Sequence, residues 1–316
     1  MSDHPLNRRQ FAARCAAFGL AFPALGAAVG AQPAGSAAAP QAAARTVKLP
    51  DGTRVPALGQ GCWHLGQGRH PPQVEEEALR TGLALGMTLL DTSGNYGGGR
   101  SERLLSHVLA GQRERIFLVS KVEGGEVAGD GVARACAASL ARLGTDYLDL
   151  YLLHWPIPSA RFPAVVAAFE QLRAAGKIRA WGVSNFDVGQ MQDLLGVPDG
   201  HRCATNQVPY SLNNRRIERE LLPWCRQHAI PVMAYSPLGG DQHLVIGDRT
   251  LAQLGAAHGC SPAAVALAWV IRSGTVIAIP EAGSPAHVRE DAAALSLELT
   301  PADLETLEIA FPVPAA

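Results

Sequence analysis

The chain has 316 residues, 47% of them hydrophobic and 17% charged, with 27 Lys plus Arg against 28 Asp plus Glu. That is enough apolar chain for one large core or two modest ones. A formal charge of -1 gives no reason to expect nucleic acid or an acidic membrane surface as a partner. Cys15, Cys62, Cys136, Cys203, Cys225 and Cys260 show no CxxC or other metal-ligand spacing. Neither a metal site nor a disulfide framework is therefore expected, and small buried hydrophobes are the role their pattern suits.

The N-terminus reads as a targeting segment. Asn7-Arg8-Arg9-Gln10-Phe11 precedes a mildly apolar stretch from Ala12 to Val29, and Val29-Gly30-Ala31 offers the small residues a signal peptidase accepts. The paired arginines followed by Phe resemble a twin-arginine (Tat) signal, which implies the Tat export machinery as a partner and a periplasmic mature protein. Residues 1–31 are expected to be this signal peptide, and residues 32–45, rich in Ala, Pro, Gly and Ser, a flexible linker. No later apolar run reaches the roughly 18 residues of a bilayer-spanning helix, so no stable membrane span is expected in the mature protein.

From residue 46 onward strand and helix signals alternate. Val47 to Pro56 predicts a short hairpin around Asp51-Gly52. Ala57 to Trp63 reads as a glycine-punctuated strand, and Pro72 to Leu85 as a helix with acidic residues in its first turn. Strands are then expected at 87–91, 116–121, 148–154 and 179–183, and helices at 100–110, 131–143, 162–175 and 187–195. The second half is less regular, with strands at 204–207, 231–235 and 275–279 and helices at 217–228, 250–258 and 262–273. Alternation with short connections implies a parallel sheet. Eight such units match the ~250 residues typical of a closed barrel. The rival, an open doubly wound sheet, would usually carry a glycine-rich dinucleotide fingerprint after its first strand. Leu58-Gly-Gln-Gly-Cys-Trp-His64 supplies none. The expected architecture is α/β: a (β/α)8 TIM barrel over residues 46–316 with a short N-terminal β-hairpin.

Three of these strands end in polar, titratable residues. Asp91 ends Met87-Thr-Leu-Leu90, Lys121 ends Ile116-Phe-Leu-Val-Ser120, and His154 ends Leu148-Asp-Leu-Tyr-Leu-Leu153. In a βα barrel such ends converge on the face that holds the active site. Tyr96 lies five residues beyond Asp91, on the loop over that face. A free phenol titrates near 10 and is a poor proton donor at pH 7. A neighbouring ammonium lowers that value, and a carboxylate can hold the ammonium in place. An imidazole can orient a carbonyl oxygen or share the proton transfer. Together the four groups suit polarising a carbonyl and protonating the alkoxide left by hydride addition. Each alone has an ordinary structural explanation; the ordered set carries the inference.

The chain resembles the aldo-keto reductase superfamily over residues 46 to about 311. The matching segments are Gly59-Gln-Gly-Cys-Trp63, Asp91-Thr-Ser-Gly-Asn-Tyr-Gly97, Gly99-Arg-Ser-Glu102, Ser120-Lys121 and Asp146-Tyr-Leu-Asp-Leu-Tyr-Leu-Leu-His-Trp-Pro156. Gly182-Val-Ser-Asn-Phe186, Asn206-Gln-Val-Pro-Tyr210 and Ala234-Tyr-Ser-Pro-Leu-Gly239 continue the series. The resemblance implies a carbonyl reductase using NADPH or NADH, with Tyr96 as general acid. Lys121 would lower its pKa, Asp91 would pair with Lys121, and His154 would orient the substrate carbonyl. Ser184, Asn185 and Gln207 would bond the nicotinamide carboxamide, Tyr235 would stack on its ring, and Ser236, Pro237, Leu238 and Gly239 would wrap the pyrophosphate.

The segment after the last strand, Ile279-Pro-Glu281-Ala-Gly-Ser284-Pro-Ala-His287-Val-Arg-Glu290-Asp291, departs from the family pattern. Ser284, His287, Glu290 and Asp291 stand at cofactor positions, but His287 replaces an Arg and Asp291 an Asn. Glu281 stands where a Lys would contact the 2′-phosphate of NADPH, so the preference between cofactors is open. Short loops imply an open, shallow pocket flanked by Trp63, Asn95 and Trp155 and suited to small aldehydes, in a protein acting as a monomer. A nicotinamide-binding redox sensor or partner subunit with little turnover is the alternative.

Overall fold

Residues 45–240 and 245–314 are described by the computed structural model. The expected signal peptide, and the linker up to residue 44, lie outside the described residues. Strands β1 (Thr46–Lys48) and β2 (Arg54–Pro56) pair antiparallel with Val47 opposite Val55, which is the expected hairpin. Its turn is made by Gly52 at φ 93° and by the Asp51 carboxylate, which accepts from the Thr53 N–H at 2.8 Å and the Thr53 hydroxyl at 3.0 Å.

The next eight strands form one parallel sheet in sequence order: β3 (Gln60–Gly61), β4 (Leu89–Asp91), β5 (Phe117–Val122), β6 (Leu148–Leu153), β7 (Ile178–Ser184), β8 (Asn206–Pro209), β9 (Val232–Tyr235) and β10 (Val276–Ile279). A parallel bridge between Leu58 and Ala278 joins its two edges. The Gly59 N–H donates to the Ala278 carbonyl and the Gly61 N–H to that of Pro280, each at 2.8 Å. The sheet thereby curls round on itself, as the strand count predicts. A Cβ on Gly59 would stand 2.7 Å from Leu89 Cδ2, so the close approach of the first barrel strand to the second demands glycine.

Helices α1 (Pro72–Ala84), α2 (Arg100–Leu109), α3 (Gly131–Leu143), α4 (Phe162–Ala174), α5 (Val188–Leu195), α6 (Leu221–Gln227), α7 (Arg249–His258) and α8 (Pro262–Ile271) alternate with the strands. Every residue of β4, β6 and β10 is buried, as strands covered on both faces require. The one charge within β6, Asp149, is held by Arg113 at 2.8 Å, Arg179 at 2.7 Å and the Leu118 N–H at 2.9 Å. Among the described residues no single helix is long and apolar enough to cross a membrane.

Differences from the expected elements are local. The helix expected at 217–228 starts at Leu221, because Glu220 at φ −133° separates it from a 3-10 turn at Arg216–Glu218. The strand expected at 204–207 runs from Asn206 to Pro209. Two further helices, α9 (Pro285–Ala292) and α10 (Pro301–Ala310), follow β10. Each starts with proline after a capping hydroxyl, Ser284 or Thr300, a start signal present in the sequence but not read there.

Candidate active site

A cavity of about 550 Å³ opens where the strands end, with Asp91, Ser184, Tyr235 and Ile279, the last residues of β4, β7, β9 and β10, in its wall. That volume lies in the range of small-molecule sites. Trp63, Asn95, Tyr96, His154, Trp155, Asn185, Gln207 and Ser236 to Gly239 also line it. The structure thus brings together most of the side chains singled out from sequence. Trp63 and Trp155 are 54% and 50% exposed, so they stand at an open mouth rather than in the core.

The hydrogen bonds of Lys121 organise the chemical end. Its side chain is wholly buried, and its Nζ donates to Asp91 Oδ1 at 2.5 Å, to the Thr92 carbonyl at 2.9 Å and to the Tyr96 hydroxyl oxygen at 3.1 Å. An ammonium has three protons, and all three are placed. Tyr96 is therefore an acceptor toward Lys121, which leaves its own O–H for the cavity. Asp91 Oδ2 accepts from Gln207 Nε2 at 2.8 Å, so the carboxylate is fixed from both sides.

The sequence reading has Lys121 bringing the Tyr96 hydroxyl below its ordinary pKa. In the structure burial dominates and holds that pKa above the ordinary value, although Lys121 pulls it down. Burial works against the Lys121 ammonium as well, but the Asp91 carboxylate together with Tyr96 more than offsets it, and the Lys121 pKa stays above its ordinary value. Behind the pair, buried Glu102 accepts from Ser120 Oγ at 2.8 Å and Arg142 Nε at 2.5 Å, while Ser101 Oγ donates to the Cys62 carbonyl at 2.7 Å. The Gly99-to-Glu102 motif is thus a brace for the strand ends.

His154 follows β6, its N–H donating to the Val122 carbonyl at 2.9 Å and its ring edge-on to Tyr96 at 5.7 Å. Its Nδ1 bonds the carboxylate of Glu123, a residue the sequence reading passed over. Glu123 stands one residue past the end of β5, at the start of a glycine-rich turn that carries no strand-end signal.

At the other end, Asn185 adopts a left-handed φ of 64°. Its Nδ2 donates to the His154 carbonyl at 3.1 Å and to Ser184 Oγ at 3.0 Å, and its Oδ1 accepts from the Tyr235 hydroxyl at 3.0 Å. Ser236 at φ 47° and Gly239 at φ 92° close a tight turn, with the Gly239 N–H donating to the Ser236 carbonyl at 2.9 Å. Two primary amides and a serine hydroxyl beside a tethered aromatic ring match a carboxamide on a flat heterocycle, so these residues fit a nicotinamide.

Ser284, His287, Glu290 and Asp291 lie on or just before α9, outside the walls of this cavity. Ser284 Oγ caps the helix by accepting from the His287 N–H at 3.4 Å. Asp291 is buried, and burial together with Glu290 pushes its carboxyl up to about 8. Glu281 lines the cavity with its carboxylate already engaged, accepting the His64 N–H at 2.8 Å and standing 2.9 Å from His64 Nδ1. The sequence reading assigned it no protein partner. Cys62, Cys136, Cys203 and Cys225 are free and buried. Among the described residues no group of three or more His, Cys, Asp or Glu is placed to hold a metal ion.

A parallel βα barrel with a Tyr–Lys–Asp–His cluster and a nicotinamide-shaped wall defines a carbonyl oxidoreductase. The model of the aldo/keto reductase family matches residues 57–311, and the chain belongs to that family. It is 49% identical over 263 residues to methylglyoxal reductase YeaE of Escherichia coli (strain K12), covering 82% of this chain and 92% of that protein. A mycobacterial aldo-keto reductase (Mycobacterium sp. strain KMS) is 32% identical over 265 residues, covering 83% and 91%. The crystal structure of an aldo/keto reductase from Klebsiella pneumoniae with NADP and acetate is 43% identical, superposes with a TM-score of 0.82, and covers 87% of this chain and 98% of that one.

Proposed function

We propose that this NAD(P)H-dependent carbonyl reductase acts on small aldehydes and 2-oxoaldehydes, with Tyr96 as the proton donor. The observation that carries the assignment is the Lys121 ammonium, whose 3.1 Å bond to the Tyr96 oxygen leaves the phenol proton free to leave. A bound reduced nicotinamide supplies the hydride that adds to the carbonyl carbon. As the carbonyl π pair moves to oxygen, Tyr96 delivers its proton there and becomes a phenolate beside Lys121. Asp91 keeps Lys121 charged, and His154 directs the carbonyl oxygen toward Tyr96. Ser184, Asn185 and Gln207 orient the carboxamide, so positioning is a large part of what the protein contributes.

Half-exposed Trp63 and Trp155 at the mouth, and 49% sequence identity to a methylglyoxal reductase, support a small substrate. A panel of methylglyoxal, short aldehydes and bulky ketones, assayed with NADPH and with NADH, tests this. The highest kcat/KM should fall on the small dicarbonyl. Cofactor binding with no turnover on any carbonyl would overturn the reading and favour a sensor.

We further propose export by the Tat route, supported by Arg8-Arg9-Gln10-Phe11 and the apolar stretch beyond it. Replacing both arginines by lysine should leave the precursor in the cytoplasm, whereas unchanged processing would point to a different signal. We also propose monomeric action, which sedimentation of the purified protein tests.

A further inference from the structure

Glu123 has no part in the proton transfer just described, yet its carboxylate meets His154 Nδ1 directly. Its place is well determined by its neighbours. It follows β5 at the start of a 3-10 turn, Gly124–Glu126, and its N–H donates to Glu126 Oε2 at 3.3 Å. The turn packs on the loop after β6, where a Cβ on Gly124 would stand 2.9 Å from Ile157 Cγ2. The Glu123 side chain is 27% exposed and that of His154 11%, so the contact is largely shielded.

The ionisable groups facing His154 can be counted element by element. Asp91 on β4 and Lys121 on β5 cancel each other as an ion pair. Tyr96, on the loop after β4, is a neutral phenol, and its pKa is held above the ordinary value by burial. Ser93 Oγ lies 3.5 Å from Nδ1 and carries no charge. Trp155 and Asn185 are uncharged. Among the described residues, Glu123 is the carboxylate that meets the ring directly.

A carboxylate at Nδ1 decides which protons the imidazole carries. If the ring is neutral, its proton sits on Nδ1 facing Glu123, and Nε2 keeps a lone pair. A lone pair repels a carbonyl oxygen. Nε2 can donate to that oxygen while the Glu123 bond persists only when the His154–Glu123 pair holds two protons. In that form the donor is an imidazolium, and hydrogen bonds from charged donors are roughly twice as strong as neutral ones.

We propose that Glu123 is a positioning residue that keeps a proton on His154 Nδ1, so that the ring presents a cationic Nε2–H to the substrate carbonyl. This rests on the carbonyl-reductase reading. The proton that reaches the alkoxide still comes from Tyr96, and the His154–Glu123 pair keeps its own two protons throughout.

The test reads the protons first and turnover second. Imidazole 15N shifts would be recorded across pH on the full mature chain loaded with NADP, with His154→Asn identifying the His154 signals. Nδ1 should carry a proton in the wild type. Glu123→Gln should release Nδ1 and leave a neutral ring protonated on Nε2. It should also lower kcat roughly tenfold at neutral pH while changing KM little, and Glu123→Asp should restore much of both. An unprotonated Nδ1 in the wild type, or an unchanged kcat in a folded Glu123→Gln, would overturn the proposal. Failure of the underlying reading looks different: no carbonyl turnover at all, with the 15N pattern still legible.

Discussion

Lys121 and Tyr96 stand 3.1 Å apart, and the direction of that hydrogen bond matters more than its length. Because Lys121 is charged and can only donate, the phenol oxygen is the acceptor and the phenol proton is the one left to move. Burial holds the Tyr96 pKa above its ordinary value before anything binds. The hydroxyl is thus kept protonated as a ready acid, and the Lys121 ammonium stabilises the phenolate only as it forms. Stabilisation that appears with the developing charge is the kind that accelerates a reaction.

Tyr96→Phe keeps the ring and removes the proton donor. General acid catalysis typically contributes about 10²–10⁴ in rate, so kcat should fall by that factor while thermal stability and cofactor Kd change little. Single-turnover measurements establish whether chemistry limits the rate. A loss below tenfold with chemistry rate-limiting would remove Tyr96 from the role.

Lys121→Met should be costlier, because it acts on both stability and rate. It leaves Asp91 buried opposite an apolar side chain, and breaking a buried pair by removing one partner typically costs about 3–5 kcal/mol. Denaturant unfolding should show a loss of that order. Lys121→Met/Asp91→Leu should recover part of the stability but none of the activity. Equal stability of the single and double variants would mean that the 2.5 Å pair contributes no buried-charge penalty.

The barrel was legible because its evidence is distributed: eight apolar runs, each ending where a helix signal begins, specify a parallel sheet without any single decisive residue. Asp91, Lys121 and His154 were legible because each ends such a run. Glu123 was not, since it sits one residue past the end of β5 in a segment that reads as a glycine-rich turn, and only the fold brings that turn against His154. The His64–Glu281 contact joins residues 217 apart in sequence, a pairing created by barrel closure. The sign of the Tyr96 shift depends on how deeply the loop buries the hydroxyl, which no pattern of residue types states.

Asp291 makes stability depend on pH in an unusual direction. Its carboxyl is pushed up to about 8 by burial, far above the 3.8 expected of an exposed Asp. Between those values the folded state holds a proton that the unfolded chain has released, so the contribution of Asp291 to stability is full below pH 4 and is lost as pH rises toward 8. The slope is about 1.4 kcal/mol per pH unit for one proton. Asp291→Asn removes the titration and retains the shape. The variant should match the wild type near pH 4 and melt increasingly higher above it, by about 2–4 °C per kcal/mol. Melting curves from pH 4 to 8 read this directly, and a constant offset across the range would show that Asp291 does not titrate in the fold.

Cofactor preference turns on the engagement of Glu281. A free carboxylate where a 2′-phosphate binds would oppose NADPH, since two like charges ~4 Å apart cost about 4 kcal/mol at an effective dielectric of 20 and less at a solvated rim. Here the carboxylate accepts the His64 N–H at 2.8 Å and is only 25% exposed, so part of its field is already satisfied. The residual penalty should be about 1 kcal/mol, a fivefold to tenfold weakening. We therefore expect NADH and NADPH to be used with catalytic efficiencies within about tenfold of each other. Glu281→Lys replaces repulsion with attraction and should shift the ratio toward NADPH by about tenfold to thirtyfold, equivalent to ~1–2 kcal/mol. His64→Ala withdraws the imidazole partner, exposes more of the Glu281 charge, and should shift the ratio the other way, toward NADH. The ratio of kcat/KM for the two cofactors, measured in all three proteins, checks the argument. A wild-type preference for NADPH above a hundredfold that neither substitution moves would show that the carboxylate held by His64 never faces the phosphate.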